Sequence, residues 1–240
     1  MGIWGGVWGI AKPVWDIVPE GMPARRELTY LCALIALAVG LGLLLRRTAL
    51  IAARMLLGYY ALWLVVGVVA EVRAPAEAWW DLGEAAIMAA TAWVLLARIV
   101  TASQQQRVVG YLRPAGVRVA TAIYGLGLIP FGVAHFVYFD RTVSMVPSWL
   151  PWHVAWASLT GGAFVAAGVA LVLAVWARLA ATLVALQMGL FTVLVWGPVL
   201  RASPTLSDWR EIVGSWVLTM AGWVVAESYR GQPWLGRRDR

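Results

Sequence analysis

The chain has 240 residues, 62% of them hydrophobic and only 13% charged, whereas soluble domains carry roughly a quarter charged residues, so a water-soluble globular domain is excluded. The formal net charge of +7 sits in short loops between apolar runs, with no basic stripe interleaved with aromatics; this excludes a nucleic-acid-binding protein and fits cytoplasmic membrane loops. The one cysteine, Cys32, excludes an intrachain disulfide or a cysteine metal cluster.

A bilayer core takes about 20 apolar residues per helix, and only helices or closed barrels satisfy the backbone in lipid. The apolar runs are continuous rather than alternating, which selects helices. The expected fold is therefore all-α and polytopic, with about seven spans. Met1–Ala11 is apolar but has no leading positive charge and no cleavage site of the signal-peptide type. The spans are expected at 28–45, 48–70, 78–97, 117–139, 154–175, 178–200 and 209–226. Thr101–Pro114 is the clearly polar connector, and Arg230–Arg240 reads as an exposed basic tail.

Arg46, Arg47, Arg98, Arg113, Arg118, Arg178 and Arg230 fall on one side of a seven-span arrangement, with the further arginines of the connector and tail. The positive-inside rule makes that side, and the C-terminus, cytoplasmic. All acidic residues except Glu227 and Asp239 fall on the other side.

The chain resembles itself. Val18, Pro19 and Pro23 align with Val146, Pro147 and Pro151 at an offset of 128, which also aligns Gly40 with Gly168 and Ala49 with Ala177. At 130, Trp79 meets Trp209 and Trp93 meets Trp223. Paired prolines and tryptophans point to a tandem duplication. Residues 1–100 then form a first, degenerate repeat with three full spans, 101–114 a cytoplasmic connector, 115–229 a complete four-helix module and 230–240 the tail. Met1–Ala11 reads as the remnant of a missing first helix.

Candidate chemistry concentrates in the second module. Gly125–Phe136 contains Gly-x-Gly inside an apolar span with no preceding strand, so the glycines read as points of close helix approach rather than a dinucleotide loop. Pro130 removes one backbone hydrogen bond, which leaves the carbonyl a turn earlier free. Tyr124, Leu128, Phe131, His135 and Tyr138 share one helical stripe. An ionisable residue in a span is a functional candidate, so His135 is read either as a ligand- or proton-handling group or as a structural anchor. Trp149, Trp152 and Trp156 suit a membrane–water interface, with His153 beside them as an aromatic lid or a plain aromatic belt. Gln187, deep in the sixth span, needs a partner on a facing helix or a ligand. Two histidines make a poor metal site, and no metal is expected.

The run Gly-Leu-Ile-Pro-Phe-Gly-Val-Ala-His-Phe (127–136), followed by Val-Pro-Ser-Trp-Leu-Pro (146–151), resembles DoxX-like membrane proteins. So do Trp156–Gly161 and Ala177–Ala181, and the similarity covers about 115–226. The resemblance implies a four-helix membrane bundle as the unit, and for some relatives a place in quinone-dependent redox complexes. It carries no established catalytic residue onto this chain. An accessory redox subunit holding a quinone through His135, Tyr124, Tyr138 and Gln187, with Trp149 and His153 nearby, is the expected function. A small-solute permease and a scaffold or assembly factor are the alternatives.

Overall fold

The computed structural model describes residues 23–71, 79–103, 110–202 and 204–236. The proposed helix remnant Met1–Ala11, Val18–Met22 of the first proline segment, residues 104–109 of the connector and the last four residues of the tail lie outside them.

Every regular element among the described residues is helical. In chain order these are α1 (Arg25–Leu44), α2 (Ala49–Glu71), α3 (Trp79–Ser103), a 3-10 turn (Gly110–Leu112), α4 (Pro114–Val137), the short α5 (Phe139–Met145), α6 (His153–Val172), α7 (Ala177–Leu194), the short α8 (Trp196–Arg201) and α9 (Leu206–Glu227). Among the described residues, six helical stretches are long and apolar enough to cross a bilayer: α1, Ala49–Val68 of α2, Leu82–Val100 of α3, α4, α6, and α7 continued through α8 to Arg201. The described residues are all-helical, and these six helices are those of a membrane protein.

The expected seventh span, 209–226, is helical as α9 but is not among those six. It opens on Asp208, Arg210 and Glu211 and carries Ser215 and Thr219 further along, which dilutes its apolar character. Its start is a capping box. The Thr205 amide and hydroxyl donate to Asp208 Oδ2 at 2.8 and 2.7 Å, and the Asp208 amide donates back to the Thr205 hydroxyl at 3.3 Å. The Thr205 hydroxyl and then its amide hold the Asp208 carboxyl below the usual carboxylate range.

Five helices close a ring. α3 packs on α4, α4 on α6, α6 on α7, α7 on α9, and α9 returns to α3. α2 lies against α3 and α1 against α2. In α3, 61% of Leu82–Val100 is buried, against 22% of the corresponding stretches of α1 and α2, so α3 is interior and those two are peripheral.

Glycine decides how closely α4 meets its neighbours. A methyl group on Gly125 would lie 2.7 Å from the Gly168 carbonyl oxygen, and one on Gly132 2.7 Å from the Gly161 oxygen. One face of α4 therefore touches the backbone of α6 at two levels, seven residues or about two turns apart. Gly127 turns to the other side, where a methyl would lie 2.6 Å from the Gly83 oxygen of α3. The Gly-x-Gly pair thus seats α4 between two helices, the small-residue packing that lipid-embedded helices use.

At the end of the bundle where α3 and α9 finish, Arg98 of α3 and Arg230 both pair with Glu227, at 3.0 and 2.8 Å. The described part of the tail is largely exposed and is also tied to the bundle. Trp176 donates its amide to the Gly236 oxygen, Arg178 donates to the Gln232 oxygen, and the Arg178 guanidinium lies 4.0 Å over the Trp234 ring. A cation stacked on indole and two backbone acceptors are enough to tie residues 232–236 to the α6–α7 turn.

Candidate functional site

His135 lies in the last turn of α4 and is half-buried. Its Nδ1 is 2.9 Å from the Phe131 carbonyl oxygen of its own helix. A carbonyl only accepts, so Nδ1 carries the proton and Nε2 presents a lone pair. Nε2 has no hydrogen-bond partner among the described residues. The ring sits in an aromatic group drawn from three helices. Its centroid is 5.3 Å from that of Phe164 (α6) and 6.2 Å, nearly parallel, from that of Phe191 (α7), while Phe131 meets Phe164 edge-on at 6.0 Å. The Gly132–Gly161 contact places His135 here, since its Cβ would stand 2.7 Å from a methyl on Gly161.

The stripe expected on α4 exists but passes through several environments. Tyr124 and Leu128 are fully buried, Phe131 and His135 are half-buried, and Tyr138 is exposed at the helix end. Tyr124, Leu128 and Phe131 line a central cavity with Ile87, Phe164, Met188 and Leu218, so each ring helix supplies at least one wall. The cavity measures about 10 Å³. That is the space of one water, while ligand pockets run to about 300–1,000 Å³. This cavity therefore has no room for a quinone head, and Tyr124, which lines it, is buried in the core.

The remaining candidates have their own surroundings. Gln187 donates through Nε2 to the Thr160 carbonyl oxygen of α6 at 3.1 Å, so its amide holds α7 to α6. Trp149 and Trp152 are 66% and 79% exposed, as an aromatic belt requires. His153, at the first position of α6, has its Nε2 buried with no partner. The structure therefore gathers His135 with three phenylalanines; Gln187 bonds Thr160 beside Gly161, which lies against the His135 Cβ, while Tyr124 lies deeper in the core and Trp149 is exposed. Among the described residues, no group of three or more His, Cys, Asp or Glu side chains could hold a metal ion.

One polar cluster had no counterpart in the sequence reading. Thr192 of α7 lies 2.6 Å from the Ser215 hydroxyl and 3.0 Å from the Thr219 hydroxyl of α9, all three buried. Thr192 also reaches the Met188 oxygen at 2.8 Å. A threonine hydroxyl has one proton and two lone pairs. The proton goes to Met188 and a lone pair accepts from Ser215, while Thr219, whose hydroxyl donates to the Ser215 carbonyl oxygen at 2.8 Å, packs beside it. Thr192 is thus the hub joining α7 to α9, directly after Phe191 of the aromatic group. Ser215 and Thr219, four apart, were the available signal of a shared face.

No protein-family model, curated protein or solved structure matches the chain.

Proposed function

We propose that the chain is a DoxX-like accessory subunit of a membrane redox system, with seven spans in two tandem units, and that it holds a quinone-type ligand in its reduced, quinol form at His135. The tandem reading is supported by helix boundaries. α1 and α6 both have 20 residues and stand at an offset of 128, and α2 and α7 start at Ala49 and Ala177, the same offset. The residues before α1 and α6, Ala24 and Trp152, are both left-handed, with φ of 54° and 59°. Such a φ is uncommon outside glycine, so its recurrence at paired positions favours duplication over shared composition.

The observation that carries the ligand reading is the tautomer of His135. With Nδ1–H committed to Phe131, Nε2 accepts, and a quinol hydroxyl donates where a quinone carbonyl cannot. Phe131, Phe164 and Phe191 give the flat apolar surface such a ring needs. The closed centre of the helix ring directs the head group to the outer end of α4, with any isoprenoid chain in lipid. In this reading the spans run with the C-terminus and its arginine-rich end in the cytoplasm.

The test is to purify the full chain in mild detergent, incubate it with quinol or quinone under anaerobic conditions, and quantify the retained ligand by mass spectrometry. Quinol retention should exceed that of quinone and fall about tenfold in His135→Leu, with Gln187→Ala little changed. Absence of any retained quinol, or equal retention by His135→Leu, overturns the reading.

A further inference from the structure

The arginines at the end of the bundle where α1, α3 and α9 finish divide into two groups. Arg98 and Arg230 are neutralised by Glu227, and Arg178 is engaged by the tail. The guanidinium groups of Arg46, Arg47, Arg54, Arg113 and Arg118 have no ion pair or hydrogen bond among the described residues. The sequence offers them no carboxylate from nearby chain either: no Asp or Glu occurs between Glu27 and Glu71, or between Glu84 and Asp140.

These five surround one apolar corner. Ala53, Leu96, Ala97, Val100 and Leu112 form a buried cluster, with Leu43, Leu50 and Val117 packed on it. Arg46 and Arg47 lie between Leu43 and Leu50, Arg54 follows Ala53, Arg113 follows Leu112, and Arg118 follows Val117. The α1–α2 turn and the start of α4 are therefore brought to the same end of α3. Trp93 fixes the connector there by donating its indole N–H to the Tyr111 oxygen at 2.7 Å. Arg46, Arg47, Arg54 and Arg113 are exposed, and Arg118 is half-buried. Arg54 stands five residues into α2, about 8 Å along its axis, beside the exposed Ile51 and Met55. Its charge therefore belongs at the boundary of headgroup and acyl chain, within snorkelling reach.

We propose that this corner seats the phosphate headgroups of anionic phospholipids, with the acyl chains running along the exposed faces of α1 and α2. Five cations without a counter-charge among the described residues attract anions from outside. A lipid supplies the anion together with an apolar tail for Leu41, Leu44 and Ile51, which are 56%, 79% and 59% exposed.

The full chain in mild detergent is equilibrated with equal amounts of phosphatidylglycerol and phosphatidylcholine, and the lipid retained after gel filtration is quantified by mass spectrometry. Phosphatidylglycerol should be retained preferentially. The R46Q/R47Q/R113Q variant should lose at least five-fold of that preference with its helical signal intact. The R141Q/R201Q variant, altered elsewhere, should keep it, and excess inorganic phosphate should not displace the lipid. Unchanged preference in the triple variant, an equal loss in the control, or displacement by phosphate overturns the proposal.

Discussion

Gly125 and Gly168 face each other across α4 and α6 reciprocally: a methyl on either would fall within 2.7 Å of the other's carbonyl oxygen. Backbone stands on the far side in both directions, so no side chain can swing away to make room. Gly168→Ala should force the helices apart and cost about 1–3 kcal/mol, the usual range for overpacking. Gly40, its counterpart at the 128-residue offset, has nothing within 4 Å of an added methyl. Gly40→Ala should therefore be neutral or gain helix propensity, at most about 1 kcal/mol. Thermal unfolding in detergent compares the two, and equal behaviour would disprove the close-packing account.

Thr192 joins α7 to α9 through two hydroxyl contacts, with Ser215 and Thr219. Thr192→Val keeps the shape and removes the hub. At about 0.6–2 kcal/mol per interhelical bond in a membrane, the loss should be about 1–3 kcal/mol. The loss should fall toward the low end, because Thr219 keeps its own bond to the Ser215 carbonyl oxygen at 2.8 Å. Thr192→Ser should stay near wild type. A valine variant as stable as the serine variant in denaturant unfolding would show the contacts to be incidental.

The positions of the helices were legible because lipid demands long apolar runs: 28–45 became Arg25–Leu44, and 154–175 became His153–Val172. The Gly-x-Gly of α4 was legible as packing for the same reason. Neighbour relations were not, since any apolar helix can face any other in lipid. That is why Thr192 and Ser215, 23 residues apart and unremarkable singly, went unread. The stripe from Tyr124 to Tyr138 showed direction but not depth. It runs from a core position, 1% exposed, to an end position, 45% exposed, and only His135 between them meets both aromatic walls and a free face.

One of the contacts that hold the tail is the stacking of Arg178 on Trp234. Trp234 is 47% exposed, so the contact is a surface one, and about 0.5–1 kcal/mol is the expected contribution. Trp234→Ala should loosen residues 232–236 without altering the ring of helices. Trypsin should then cut after Arg230 several-fold faster, while the unfolding midpoint shifts little. An unchanged cleavage rate would mean that the backbone bonds from Trp176 and Arg178 suffice alone.

Asp208 gives a pH dependence whose sign is fixed. Its carboxylate accepts two bonds from Thr205, and both favour the charged form, so its folded pKa lies below the unfolded value of about 3.9. A lowered carboxylate pKa contributes stability that is fully present above the unfolded value and is lost as pH falls through the folded one. The difference in unfolding temperature between wild type and Asp208→Asn should thus hold constant from pH 7 to about pH 5. It should shrink below about pH 4, where protonation makes the two side chains alike. Asp208 is partly exposed to solvent, so added salt should narrow the difference at neutral pH as well. In Thr205→Val, which loses the hydroxyl donor, the folded pKa moves back toward the unfolded value, so the difference should be smaller and its loss should be complete at a higher pH. A difference that persists unchanged down to pH 3 would show that the charge of Asp208 takes no part in starting α9.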